Sequence, residues 1–351
     1  MKIKAYWKNL KKGVRVTIIV LLAVLAIDLA ARFAMGRQKI HVDETQWVRI
    51  PRGTTYEGLL DTLNAHGCLK NRAAFVRIAR LRGLHKHVRE GSYRIEDGTS
   101  IVSVVQKIYS GRQDPVRLTI GKHRTLESLC LYMDKKLELS GDSLLALMQD
   151  TTVASRYDHT PQTIIGLFIP NTYEVYWTLS PTALLDRMAK ESDRFWNSVR
   201  RGQCKNIGLT PDQAIILASI VEEETNQNDE KPLIASVYLN RLRKGMELQA
   251  DPTVRFANGD FSVKRIGGPM LLHPSPYNTY LHPGLPPGPI CIPSIASIDA
   301  VLSGISSPYL YFCAKEDFSG MHNFAATLAE HQVNANKFHR ALDLRRIGQG
   351  K

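Results

Sequence analysis

From Val16 to Met35 the chain is apolar at nearly every position, broken by Asp28 and Arg32. Twenty helical residues span about 30 Å, the hydrocarbon thickness of a bilayer, so this stretch predicts a membrane-crossing helix. Asp28 and Arg32 stand four apart and can pair on one helical face. The pattern then changes. Val48-Arg-Ile-Pro-Arg-Gly53 alternates like a strand and meets a glycine turn, and a helical stretch follows. A second helix is predicted over Arg72–Arg82, a return strand at Gly91–Arg94, and a helix over Ile101–Tyr109 behind the turn Asp97–Ser100. Part of this is echoed later. Val116-Arg-Leu-Thr-Ile-Gly121 repeats the strand and turn, and Thr125-Leu-Glu-Ser-Leu129 repeats the T-x-E-x-L of the helix start.

A third pattern begins at Thr210. Thr210-Pro-Asp-Gln213 combines a capping threonine, a proline suited to the first helical position and a glutamine three residues on. Ala214–Val221 is apolar apart from Ser219, so this helix is buried on most sides. It ends in Glu222, Glu223 and Glu224. Carboxylates at a helix C-terminus face the negative end of its dipole. An acid held where apolar residues give way to polar ones is partly desolvated, which raises its pKa and suits it to donate a proton near neutrality. Glu222 continues the face of Ala218 and Ile215, and Glu224 that of Val221 and Leu217, so periodicity alone does not choose between them. Ile234–Leu242 predicts another helix ending in basic residues and Gly245. The stretch from Pro276 to Ile290 is too rich in proline and glycine for regular structure. Tyr309–Phe312 and His322–Phe324 read as strands. The whole predicts an α+β chain: an N-terminal transmembrane helix (16–35), a small βααβ module (40–115) and a larger α+β domain (116–345).

Charge sharpens the first element. Of the net +13, six charges come from Lys2, Lys4, Lys8, Lys11, Lys12 and Arg15, and no acid precedes Asp28. A basic leader (1–15) of this kind keeps the N-terminus in the cytoplasm and puts the rest outside the inner membrane, in the periplasm or its equivalent. The competing reading is a cleaved signal peptide, because the uncharged core Val16–Ile27 is short and Leu29-Ala-Ala31 resembles a cleavage site. The remaining charge forms no basic stripe with interleaved aromatics, which argues against nucleic acid as a partner. Cys68, Cys130, Cys204, Cys291 and Cys313 show no C-x-x-C spacing, so they predict free, mostly buried thiols rather than a zinc site or disulfide framework. Phosphate loops, nucleophile elbows and dinucleotide fingerprints are absent from the sequence. No metal or other cofactor is expected.

Three blocks in one order carry a family likeness: Leu217–Thr225 (LASIVEEET), Asn240–Val254 (NRLRKGMELQADPTV), and Pro276–Tyr280 (PYNTY) with Gly284–Ile290 (GLPPGPI). On them the chain resembles the YceG-like family of bacterial endolytic murein transglycosylases. The resemblance implies an enzyme that cuts the MurNAc–GlcNAc β-1,4 bond of peptidoglycan glycan strands, leaving 1,6-anhydromuramic ends. It puts the catalytic glutamate of an I-V-E-x-E-T motif at Glu222. It lines the cleft with Asn240, Gln249, Asp251, Tyr277, Asn278, Tyr280 and His322, the last on an H-x-F motif. It also makes the βααβ module LysM-like. The family segment matched by Leu167–Tyr173 usually carries Asp after its proline. Asn171 stands there, and no catalytic role is assigned to it. Two other readings stay open: a hydrolytic muramidase with Asp251 as second carboxylate, and a non-catalytic wall-binding scaffold that partners cell-wall synthases.

Overall fold

The computed structural model describes residues 11–263 and 266–349, side chains excepted at 31, 32 and 346–349. Lys2, Lys4 and Lys8 of the basic leader, and the Arg32 side chain expected to pair with Asp28, therefore lie outside the described residues. The chain divides into two compact units, Met1–Val116 with Glu174–Thr178, and Arg117–Tyr173 with Leu179–Lys351.

In the first unit, α1 (Lys12–Gly36) is the one described helix long and apolar enough to cross a membrane, and none of its most apolar window is buried against protein. β1 (Gln46–Ile50), α2 (Tyr56–Ala65), α3 (Arg72–Leu81), β2 (Gly91–Ile95) and α4 (Ile101–Ser110) follow. β1 and β2 pair antiparallel with Val48 opposite Tyr93, so the βααβ order read from the sequence is present. Its core is apolar throughout: Val48, Ile50, Leu59, Leu63, Ile78, Ile95, Val105 and Ile108 are wholly buried. Each such side chain stabilises the unit by about 1.5–3 kcal/mol relative to exposure.

The second unit continues with β3 (Val116–Ile120), α5 (Leu126–Lys136), α6 (Gly141–Gln149), α7 (Thr151–Ser155) and β4 (Asn171–Val175), which pairs with β3. The sequence echo is structural. β1 and β3 bury the same alternate positions, and Thr55 and Thr125 each cap the next helix by accepting a backbone N–H three residues on. Then come α8 (Pro181–Phe195), α9 (Ser198–Ile207), α10 (Pro211–Glu224), α11 (Lys231–Arg243), α12 (Asp251–Asn258), α13 (Ile295–Leu302), β5 (Tyr311–Ala314), β6 (His322–Ala325) and α14 (Leu328–Gln349). β5 starts two residues later than the sequence predicts and pairs antiparallel with β6, Phe312 opposite Phe324. The capping box at Thr210 and Gln213 is complete. Helix α10 is the axis of this unit: Ala214–Val221 are all buried, and α9, α11, α12 and α13 pack around it. Between α12 and α13 the described residues are irregular apart from one 3-10 turn. Gly288 explains part of that path, since a Cβ there would collide with the Gln162 carbonyl oxygen. Four cysteines are buried and Cys313 partly so, all as free thiols.

Candidate active site

Successive residues on a helix diverge by about 100°, so the three glutamates ending α10 point three ways. The structure gives each a different partner set.

Glu222 is held fast. Its Oε2 accepts from Ser294 Oγ at 2.5 Å, Ser297 Oγ at 2.5 Å and Lys231 Nζ at 3.1 Å. The Lys231 side chain is only 5% exposed. Ser294 caps α13 and Lys231 begins α11, so this carboxylate ties three helices together. Burial pushes its pKa up, but the two hydroxyls and the ammonium outweigh burial and hold it below the usual value. This corrects the expectation of a raised proton affinity at Glu222. The expectation followed from the apolar run, which says nothing about donors that arrive from 9 and 72–75 residues away.

Glu223 is also neutralised. Arg124 grips it with Nε and Nη2 at 3.0 and 2.9 Å, and Lys122 lies 2.8 Å from it. Its pKa is lowered as well: burial raises it, and the hydrogen bonds and charges of Arg124 and Lys122 more than reverse that.

Glu224 differs. Among the described residues no cation stands within ion-pair distance of it, and its one hydrogen bond comes from Tyr238 Oη, donating to Oε1 at 2.5 Å. Burial pushes its pKa up to about 7; the Tyr238 bond lowers it, Asp251 raises it, Arg255 lowers it and Glu223 raises it. Some of the residue still meets solvent. A carboxyl with a pKa near 7 is about half protonated at neutrality and can donate a proton and take it back.

Around Glu224 stand groups from three segments. Tyr238 comes from α11. Its ring packs edge-on against Phe312 at 5.8 Å, and Phe312 meets His322 at 5.3 Å. Asp251 opens α12 with its carboxylate in the first turn, where the dipole favours it, and Tyr280 Oη donates to it at 2.7 Å. Arg255 lies one turn further along α12, and its Nε is buried without a hydrogen-bond partner.

Of the residues anticipated from sequence, Asp251 and Tyr280 therefore meet at the carboxyl cluster. Gln249 is exposed, two positions before Asp251, with φ +49°. The others have partners within the protein. Asn240 Nδ2 donates to the carbonyls of Ser307 and Tyr309 at 2.8 and 3.0 Å. Asn278 is fully buried and donates to the carbonyls of Leu271 and His273, both at 2.9 Å. Tyr277 packs on Phe256 at 4.7 Å. His322 Nδ1 lies 3.0 Å from Glu230, which also accepts the His322 backbone N–H at 2.8 Å. Sequence reasoning passed over Tyr238, Arg255, Lys231, Ser294 and Ser297. Tyr238 left a trace, because a tyrosine buried among Ile234, Val237 and Leu239 needs a partner for its hydroxyl.

A model of the YceG-like family matches residues 48–337. The endolytic murein transglycosylase of Bacillus subtilis (strain 168) is 27% identical over 309 residues, covering 83% of this chain and 84% of that protein. The endolytic murein transglycosylase of Streptococcus pneumoniae (strain ATCC BAA-255 / R6) is 27% identical over 297 residues. That match takes in 76% of this chain and 54% of the pneumococcal protein, so the chain spans about half of that relative's length. A crystal structure of a YceG-like protein from Listeria monocytogenes superposes with a TM-score of 0.54 at 28% identity, covering 82% of this chain and 98% of that one.

Proposed function

The chain belongs to the YceG-like family, and from that membership we propose that it is a membrane-anchored endolytic transglycosylase that cuts the MurNAc–GlcNAc β-1,4 bond of peptidoglycan. The observation that carries the reading is the end of α10, where two of three glutamates are neutralised by cations and the third, Glu224, has its pKa lifted to about 7.

In this reading Glu224 is the proton donor and Glu222 a structural tie. With Oε1 occupied by Tyr238, the acidic proton sits on Oε2 and faces the glycosidic oxygen. Proton transfer to that oxygen accompanies cleavage of its bond to the anomeric carbon, which gathers positive charge. The Asp251 carboxylate, oriented by Tyr280, stabilises that charge electrostatically. The Glu224 carboxylate then takes the proton from the muramic 6-hydroxyl as its oxygen closes on the anomeric carbon. The apolar helix α1 supplies the anchor, with the N-terminus cytoplasmic and the rest periplasmic. The βααβ module, LysM-like by its resemblance, adds affinity for the glycan backbone.

Digestion of isolated peptidoglycan by the purified chain tests the activity. Long soluble glycan fragments should appear before disaccharides. Unchanged peptidoglycan would instead favour the scaffold reading.

Tyr238→Phe tests the assignment of the acid. The tyrosine hydroxyl holds the Glu224 pKa down, so its loss should raise that pKa. The acid form then persists to higher pH. The alkaline limb of kcat/KM should move up by roughly 0.5–1 unit, the worth of one hydrogen bond of about 1 kcal/mol. A folded Tyr238→Phe enzyme with an unmoved limb would show that another group donates the proton.

A further inference from the structure

The chain does not loosen into a linker where α1 ends. Met35 packs against the core of the first unit. Ile40 N–H donates to Thr99 O at 2.8 Å, Gly98 N–H to Ile40 O at 2.9 Å and Ile101 N–H to Gln38 O at 2.9 Å. Lys39 bridges Ser100, and Asn71 Nδ2 donates to Gln38 Oε1 at 3.1 Å. The βααβ module is thus fixed at the end of the apolar helix. A cavity of about 330 Å³ lies at this junction, and Arg37, Lys39, His41, Lys70, Asn71 and Ile101 are among its lining residues.

Its charge is one-sided. Among the described residues no carboxylate lines it. Asp43 and Asp97 lie 3.2 Å from Lys70 and His41 respectively. These are exposed pairs of little strength. Two helix N-termini also converge here, since Asn71 caps α3 and Ile101 is the first residue of α4. Neither ten-residue helix carries an acid in its first turn, so no carboxylate offsets the positive ends of their dipoles. Arg37, Lys39 and Lys70, all exposed, give the cavity a positive rim that suits a compact oxyanion. Its position beside the end of a membrane-spanning helix selects the source.

We propose that this cavity binds the phosphate headgroup of an anionic membrane lipid and so fixes the βααβ module against the bilayer surface. The site rests on α1 lying in a membrane and not on the glycan-cutting reading. It also follows whichever way the helix is oriented, because the cavity stays with the module.

The test uses the full chain in neutral detergent, titrated with phosphatidylglycerol or phosphatidylcholine, with retained lipid counted by native mass spectrometry. Each cation near an anionic headgroup is worth about fivefold, so three should favour phosphatidylglycerol by about 100-fold. Lys39→Gln with Lys70→Gln should reduce that preference to about fivefold. Lys39→Arg with Lys70→Arg should preserve it. All four substitutions fall on exposed side chains, and a melting curve checks the fold. Equal retention of the two lipids by a chain that stays membrane-bound would overturn the site alone. A preference that survives the double glutamine change would do the same, and displacement by millimolar inorganic phosphate would make this a free-ion site and overturn the lipid assignment. Extraction of the chain from membranes by salt alone would remove the anchor and the site with it.

Discussion

Glu224→Gln should abolish glycan cleavage while leaving a folded and more alkali-tolerant protein. Glutamine matches the shape of the side chain and still accepts the Tyr238 hydroxyl, but it has no proton to give or retrieve. General acid–base catalysis is typically worth about 100- to 10,000-fold, and that is the expected loss in kcat/KM. The stability change has a definite sign. Glu224 binds its proton more tightly in the folded chain than in the unfolded one. The wild type therefore loses stability as pH rises from the ordinary carboxyl range through about 7, and the loss is complete above that. A neutral amide escapes this penalty, so the variant should melt higher than wild type at pH 8 and by a smaller margin at pH 5.

Glu222→Gln should behave in the opposite way. It removes the counter-charge of a nearly buried lysine and weakens the two serine bonds. Removing one partner of a buried pair costs about 3–5 kcal/mol, less here because the amide oxygen still accepts. The folded fraction should retain most of its activity. The wild-type benefit is present above the ordinary carboxyl pKa and is lost as pH falls through the lowered one, so the gap in melting temperature should narrow in acid. If Glu222→Gln were folded and inactive while Glu224→Gln still cut glycan, the acid would be Glu222.

The contrast between these two neighbours shows where sequence reading stops. The buried helix, its capping box and the carboxylates at its end were legible because local chemistry dictates them: Thr210, Pro211 and Gln213 act within four residues, and Ala214–Val221 has one way to avoid water. The echo of β1 and α2 in β3 and α5 was legible for the same reason. The different partner sets of Glu222, Glu223 and Glu224 were not. They depend on Lys231, Arg124, Ser294 and Tyr238, which the fold delivers from 9 to 99 residues away. The partners of the polar residues in the later blocks were equally hidden. Asn240 and Asn278 look like sugar-binding amides in a list, yet buried loop carbonyls need donors, and these two side chains supply them. Asp251 and Tyr280 meet beside Glu224, Tyr280 Oη donating to Asp251. Their partnership with each other was invisible until α12 and the irregular segment were seen side by side.

The cut ends should carry 1,6-anhydromuramic rings and no label when the digestion is run in heavy-oxygen water. A hydrolase of the usual kind needs two carboxylates, one to protonate the leaving oxygen and one to attack or to activate water. Glu222 and Glu223 are committed to cations, which leaves Glu224 and Asp251. Asp251 accepts from Tyr280 at 2.7 Å and raises the Glu224 pKa through its charge. That arrangement suits a fixed negative charge that stabilises a developing cation more than a base waiting for a water proton. One glutamate suffices when the substrate's own 6-hydroxyl attacks, since an intramolecular nucleophile needs no second protein group to deliver it. Water then never enters the product. The anhydro end is lighter than a reducing end by one water, about 18 mass units, and takes up no heavy oxygen because no new bond to solvent forms. Reducing ends that carry the heavy isotope would turn the reading to hydrolysis. Asp251→Asn would then separate the roles: as base it should end turnover as completely as Glu224→Gln, whereas as a stabilising charge it should slow cleavage, lower the Glu224 pKa and leave the anhydro product unchanged.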